Sequence, residues 1–375
     1  MKKSSKISPK FILSGGGTGG HIYPAIAIAN ELKARFPHAQ FLFVGAQDKM
    51  EMQKVPKAGY DIIGLNIAGF QRNNLFKNIS LPIKVISSLN KAKNIIKDFK
   101  PDMVIGTGGY ASGPTMWVAA KKGIPVLIQE QNSFPGITNK LLKNKAFAIC
   151  TAYDGMERYF SSDKIHITGN PIRSDIFTNL PDKEASKIKF GLNPKKPVIL
   201  SVGGSLGART LNNNWVKGVK ELVKEDIQLI WQTGQLEWNK INNNETLKHP
   251  NIHITEFIYE MNTAYAAADI IVSRAGAMAI SELTLIGKPL ILVPLPTAAE
   301  DHQVKNAQNL VDHNAAKMVF DHDAVENLTK EAIQLSKNES EKKELSNQIK
   351  KLAKPDAVKQ IADIIAEKLK IQEQN

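Results

Sequence analysis

Eight residues near the start of the chain bring the means to bind an anion next to a titratable side chain. Ser14-Gly15-Gly16-Gly17-Thr18-Gly19-Gly20-His21 holds five glycines, a threonine hydroxyl and an imidazole. Glycines let a backbone approach a ligand closely, and the exposed amides and dipole of a helix start favour negative charge. His21 at such a start tends toward a neutral ring, as a general base requires. A histidine that only hydrogen-bonds its own loop fits this residue equally well, and both readings stand at this point.

A second set lies in the other half of the chain. Gly203-Gly204-Ser205 offers amides and a hydroxyl to a phosphate. Ser273-Arg274-Ala275-Gly276 leads into Ala277, Met278, Ala279, Ile280, Ser281 and Glu282. Small residues there again permit close approach. Glu282, about two turns into the predicted helix, carries a carboxylate that can accept from both ribose hydroxyls. Gln303 and Asn132 are neutral amides suited to sugar hydroxyls and an acetamido group. Arg173 and the helix starts are the groups that must neutralise a leaving diphosphate without a metal. No His, Cys and carboxylate cluster has zinc spacing. Asp321-His322-Asp323 sits in a polar turn and reads as surface.

The elements that position these residues alternate between strand and helix. Phe11-Ile12-Leu13 reads as a buried strand, and apolar residues then recur at helical spacing through Leu32. Pro24 fits the first turn of that helix. Pro101 to Ile105 is a strand opening onto Gly106-Thr107-Gly108-Gly109-Tyr110. The pattern breaks at Gly169-Asn170-Pro171 and restarts at Val198 to Val202, followed by a helix with Leu211, Trp215, Val219 and Leu222 on one face. This predicts an α/β protein with two doubly wound, Rossmann-like domains. The first turn also fits G-x-G-x-x-G as Gly15, Gly17 and Gly20. The acid that a dinucleotide site requires after the second strand is missing, since the chain there reads Gly45-Ala46-Gln47. There is no Walker A loop.

The chain has 375 residues, a formal charge of +13 and one cysteine, Cys150. That length suits two domains, and the charge suits phosphorylated substrates or an anionic membrane surface. Nucleic-acid motifs are absent, so nucleic acid is not an expected partner. The lone cysteine suits a reducing compartment. Apolar runs are far shorter than the ~20 residues of a membrane span. Residues 75 to 93 set Leu75, Ile79, Pro82, Ile83, Ile86 and Leu89 among Lys77, Lys84, Lys91 and Lys93. This is either a membrane-docking patch or an ordinary helix packed on its own sheet.

Taken in order, these stretches resemble glycosyltransferase family 28, the peptidoglycan glycosyltransferases of the GT-B fold. The match runs through Gly16 to His21, Gly108 to Pro114, Glu130-Gln131-Asn132, Gly169 to Arg173, Gly203 to Arg209, Arg274 to Glu282 and Asp301-His302-Gln303. The resemblance implies two domains facing across a cleft. Residues 1–168 would bind acceptor and membrane, and 169–352 would bind UDP-GlcNAc. A C-terminal helix, 353–375, would pack back on the first domain. It implies inverting transfer of GlcNAc from UDP-GlcNAc to the 4-hydroxyl of MurNAc in lipid I, with no metal or cofactor, on the cytoplasmic side of the inner membrane. Other cell-wall or division proteins are implied as partners. The donor would meet Thr18, Gly19, Gly20, Asn132, Arg173, Ser205, Ile258, Ala277 to Glu282 and Gln303, with the Ile258 backbone on uracil. The acceptor would meet Gly16, Gly17, Gly108, Gly109 and Tyr110, and His21 would be the base. One departure is Val304, where many relatives carry a polar residue. Two alternatives remain: another UDP-GlcNAc enzyme such as a 2-epimerase, and a non-catalytic membrane-docked scaffold.

Overall fold

The structure, a computed structural model, describes residues 8–69, 81–172, 176–298 and 301–370. The chain divides into two compact units, Met1–Ile172 with Asp356–Asn375, and Arg173–Pro355. Each is built on a parallel sheet whose central strands are buried on both faces, which is why they read as continuous apolar runs.

In the first unit seven strands lie in the order β3-β2-β1-β4-β5-β6-β7. They are β1 (Lys10–Gly15), β2 (Gln40–Ala46), β3 (Ile62–Leu65), β4 (Met103–Gly108), β5 (Val126–Glu130), β6 (Ala148–Thr151) and β7 (Ile165–Ile167). Phe11, Ile12 and Leu13 of β1 and Met103, Val104 and Ile105 of β4 are fully buried. The strand order reverses between β1 and β4, and in open α/β sheets ligands bind beyond the carboxyl ends of the strands at such a reversal. The first two glycine turns leave β1 and β4, one on each side of that point.

Helix α1 (Gly19–Arg35) begins inside the glycine run. Pro24 is therefore in the second turn, not the first, and its missing N–H removes a helical bond to the Gly20 carbonyl. The last helix, α14 (Ala357–Leu369), packs on α1, placing Ile361, Ala362 and Ile365 in a core with Ile22, Ala25, Ile28 and Ala29. Arg35 fastens it, pairing with Asp363 and donating to the Lys359 carbonyl. The first unit ends at Ile172 rather than at residue 168. Asn170 explains the extension: its side chain joins Gln129 (2.8 Å) and the Gln131 carbonyl (3.1 Å) in a buried network.

The second unit repeats the plan with six strands, β10-β9-β8-β11-β12-β13. These are β8 (Val198–Val202), β9 (Gln228–Gln232), β10 (Ile252–Thr255), β11 (Ile270–Ser273), β12 (Leu290–Leu292) and β13 (Lys317–Met318). Helix α7 (Arg209–Lys224) buries Leu211, Trp215, Val219 and Leu222, the predicted face, and packs on α12 (Asp321–Lys337). Trp215 and Trp231 are fully buried, and their indole N–H groups donate to Ser201 Oγ (2.7 Å) and Asn212 Oδ1 (2.9 Å). The reversal here lies between β8 and β11, the strands that open onto Gly203–Ser205 and Arg274–Ala277.

Candidate functional site

The two turns of the first unit press against each other. Gly109 has φ +78°, and a Cβ on it would lie 2.4 Å from the Gly16 carbonyl oxygen. Only glycine allows both that conformation and that contact. His21 sits in the first turn of α1 with its Nδ1 3.2 Å from the Gly16 carbonyl and 3.1 Å from Thr18 Oγ1. A carbonyl oxygen can only accept, so the neutral ring carries its proton on Nδ1 and its lone pair on Nε2. Thr107 at the end of β4 donates to the His21 carbonyl (2.7 Å) and ties the helix start to the central strand. Thr18, the N-cap, lends α1 no side-chain bond, so the amides of Gly19 and Gly20 open the helix without a cap.

Glu51 organises this turn, and sequence reasoning missed it. It starts helix α2 (Glu51–Lys57), is completely buried, and accepts from the amides of Gly17 (3.1 and 3.2 Å) and Ala46 (2.9 Å). The Gly17 amide therefore points inward to a carboxylate. A Cβ on Gly16 would lie 2.1 Å from Glu51 Oε1, so these glycines make room for a buried acid as well as for a ligand. Tyr110 lies over Gly17, and burial together with the Glu51 charge pushes its phenol upward in pKa. The phenol is therefore a donor in this position.

Asn132 is held by Glu130, the last residue of β5. The Glu130 carboxyl accepts from the Asn132 amide (3.0 Å), Asn132 Nδ2 (3.2 Å), the Gly136 amide (3.0 Å) and Asn139 Nδ2 (2.8 Å). Burial raises its pKa, and these four bonds oppose the rise. The carboxyl shapes the loop that carries Asn132.

In the second unit, helix α10 (Ala277–Ile286) starts after an extended Gly276 that supplies no side-chain cap, and its first turn holds no acid. The amides of Ala277, Met278 and Ala279 form an N-terminus of the kind that receives phosphate. Ile280 is buried in the core, and Ser281 and Glu282 are partly exposed one turn further on. Glu282 Oε1 accepts from the buried Tyr265 hydroxyl. Gln303, in the first turn of α11 (His302–Asp312), accepts through Oε1 from the amides of Ala275 (3.1 Å) and Leu295 (2.9 Å). That fixes its orientation and aims Nε2 the other way. Ser205 is exposed on its turn. Gln232 bridges two loops, donating to the Gly204 carbonyl and accepting from the Ile258 amide, each at 3.0 Å. Of the Ile258 peptide groups expected to meet uracil, the N–H is thus already engaged and the carbonyl is the one to consider.

One expectation needs correcting. Asp321 is not a surface acid: it pairs with Arg274 at 2.5 Å and accepts from Thr210 at 3.0 Å, both partners being largely buried with it. Arg274 also donates to the Val293 carbonyl (3.0 Å). It therefore braces the loop before α10. His322 and Asp323 are exposed as expected. Arg173, Leu75, Lys77 and Ile79 lie outside the described residues. Among the described residues, no three His, Cys, Asp or Glu side chains converge as metal ligands.

The sequence model of the glycosyltransferase family 28 N-terminal domain matches residues 11–151, and that of the family's C-terminal domain matches residues 198–361. The chain belongs to glycosyltransferase family 28. A relative from Parabacteroides distasonis, named UDP-N-acetylglucosamine–N-acetylmuramyl-(pentapeptide) pyrophosphoryl-undecaprenol N-acetylglucosamine transferase, is 50% identical over 95% of this chain and 97% of its own. The crystal structure of Acinetobacter baumannii MurG superposes with a TM-score of 0.78 at 29% identity, covering 96% of this chain and 99% of that one. A UDP-N-acetylglucosamine 2-epimerase shares the fold at 16% identity, with a TM-score of 0.66 over 98% of this chain and 99% of the epimerase. As a family 28 protein the chain is a glycosyltransferase of GT-B architecture, which agrees with its pair of Rossmann-like sheets.

Proposed function

We propose that this family 28 enzyme transfers GlcNAc from UDP-GlcNAc to the 4-hydroxyl of MurNAc in lipid I, giving lipid II and UDP with inversion and without a metal. The observation that carries the reading is half-identity over nearly full length to a named transferase of that reaction, on a chain whose helices α1 and α10 both start without a side-chain cap.

In this reading the second unit is the donor site. The first-turn amides of α10 take the diphosphate, Glu282 takes the ribose hydroxyls, the Ile258 carbonyl takes the uracil N3–H, and Gln303 Nε2 and Ser205 take the sugar and phosphates. The first unit supplies Gly16, Gly17, Gly108, Gly109 and Tyr110 to the acceptor, with Gly17 contributing its turn rather than its amide. The acceptor oxygen attacks the anomeric carbon opposite UDP. A C–O bond forms to the acceptor as the bond to phosphate breaks, and the hydroxyl proton passes to His21 Nε2. Charge grows on the departing diphosphate, where amides already aimed at it lower the barrier. Arg173 is a further counter-charge on this reading.

The enzyme is proposed to work on the cytoplasmic face of the inner membrane, where its lipid acceptor is anchored, alongside other cell-wall or division proteins. Ile83 and Ile86 of α3 (Leu81–Phe99) are 72% and 60% exposed, although the second half of that helix is buried through Ala92, Ile95 and Ile96. Trp117 and Leu141 are also exposed, and Lys145 lies 4.3 Å from the Trp117 ring. Exposed apolar groups with lysines beside them suit an anionic bilayer surface. No helix among the described residues is long and apolar enough to cross a membrane.

The test is incubation of the purified protein with labelled UDP-GlcNAc, with and without lipid I. Label in the lipid and release of UDP only when lipid I is present support the reading. Free or isomerised sugar without acceptor marks a hydrolase or epimerase, and binding with no turnover marks a scaffold.

A further inference from the structure

A ribose clamp built on one carboxylate must hold that carboxylate still. Glu282 stands on α10 with part of its surface open, and a glutamate there has three rotatable bonds to restrain. Tyr265 of α9 (Met261–Ala267) is 5% exposed, and its hydroxyl donates to Glu282 Oε1. No part of the proposed reaction uses Tyr265.

We propose that Tyr265 is a positioning residue for donor recognition: its buried hydroxyl pins Oε1 of Glu282 so that the carboxylate's remaining acceptor sites face the 2′- and 3′-hydroxyls of the nucleotide ribose. This rests on the reading that Glu282 binds the ribose. Burial and the neighbouring carboxylate raise the Tyr265 pKa well above its ordinary value, so the phenol stays a donor across the working pH range. A phenol has one proton to give, and a carboxylate's roughly four lone-pair sites are more than that one donor uses. The ordering cost of the glutamate is met before the ligand arrives.

The experiment is calorimetric titration of UDP and of 2′,3′-dideoxy-UDP into wild type, Tyr265→Phe, Glu282→Ala and the double variant. Phenylalanine keeps the buried ring, and each variant's melting temperature is measured alongside. The expected result is UDP binding weakened roughly fivefold in Tyr265→Phe, from the lost immobilisation. Dideoxy-UDP binding stays within about twofold, and the double variant is no worse than Glu282→Ala. Equal weakening of both nucleotides in Tyr265→Phe, or weakening of neither, overturns the proposal and shows a tyrosine that serves packing alone. If Glu282→Ala weakens both nucleotides equally, the ribose reading itself has failed and the clamp fails with it. If Glu282→Ala discriminates and Tyr265→Phe does not, the clamp alone has failed.

Discussion

Replacing Gly109 with alanine tests whether the turns after β1 and β4 form one rigid unit around His21. The new methyl would lie 2.4 Å from the Gly16 carbonyl oxygen and 3.2 Å from His21 Nδ1. A comfortable carbon–oxygen contact is about 3.3 Å, so one turn must retreat by about 1 Å. That retreat moves the carbonyl that orients the imidazole. An alanine at φ +78° also carries roughly 1–2 kcal/mol of left-handed strain. Gly123→Ala isolates that second cost, because Gly123 has φ +74° and no heavy atom within 4 Å of its would-be Cβ. Both variants should lose about 1–2 kcal/mol of stability in urea titrations, with a further loss of about 1–3 kcal/mol at Gly109 from the collision. Only Gly109→Ala should lose turnover, by about 100-fold, the effect of a 1 Å misplacement in a reacting group. Turnover within threefold of wild type in Gly109→Ala, measured with both substrates saturating, would refute the argument that this contact sets the geometry of His21.

Other expected outcomes follow from the same contacts. His21→Ala should lower kcat about 10²- to 10⁴-fold with little change in KM for UDP-GlcNAc, read by steady-state kinetics; comparable turnover removes His21 as the base. Glu51→Gln keeps the shape and leaves one oxygen for the Ala46 amide but turns an N–H toward the Gly17 amide, so kcat should fall about tenfold or more while donor binding by calorimetry holds; unchanged kcat rejects its role beneath the turn. Lys288 is partly buried, donating to the Ala266 and Ala268 carbonyls, with its pKa pulled down to about 8 from 10.5, chiefly by desolvation. Its folded-state value is depressed, so the unfolded chain binds the extra proton between those values and stability rises with pH across that window. Relative to Lys288→Met, wild type should gain up to about 3 kcal/mol from pH 8 to 10.5 in urea titrations, and a flat difference contradicts this. Ile83→Ser with Ile86→Ser should weaken sedimentation with anionic vesicles several-fold, leaving UDP affinity intact; undiminished sedimentation excludes that face.

The strands and turns were legible because parallel strands buried on both faces leave unbroken apolar runs, and because glycines mark where backbones touch. Trp215 and its companions on α7 were legible for the analogous reason at helical spacing. Glu51, Tyr265 and Gln232 were not. Each acts on backbone or on a side chain distant in sequence, and each is a residue type common in positions of no consequence. Glu51 follows Asp48-Lys49-Met50 and reads like an ordinary acid at a helix start, yet the fold buries it under three glycines, Gly16, Gly17 and Gly45. Asp321 was misread because its partner, Arg274, is 47 residues away. Pro24 misled because proline at a helix start is common, whereas here the glycine run itself bends into the helix.

The central claim is that main-chain amides at the start of α10 hold the donor's diphosphate with no ion to assist. The direct measurement is a crystal structure of the UDP complex grown with magnesium present. The account predicts phosphate oxygens within hydrogen-bonding distance of the Ala277, Met278 and Ala279 amides and no cation between them. A diphosphate bound away from that helix, or chelated to a divalent ion, would contradict it.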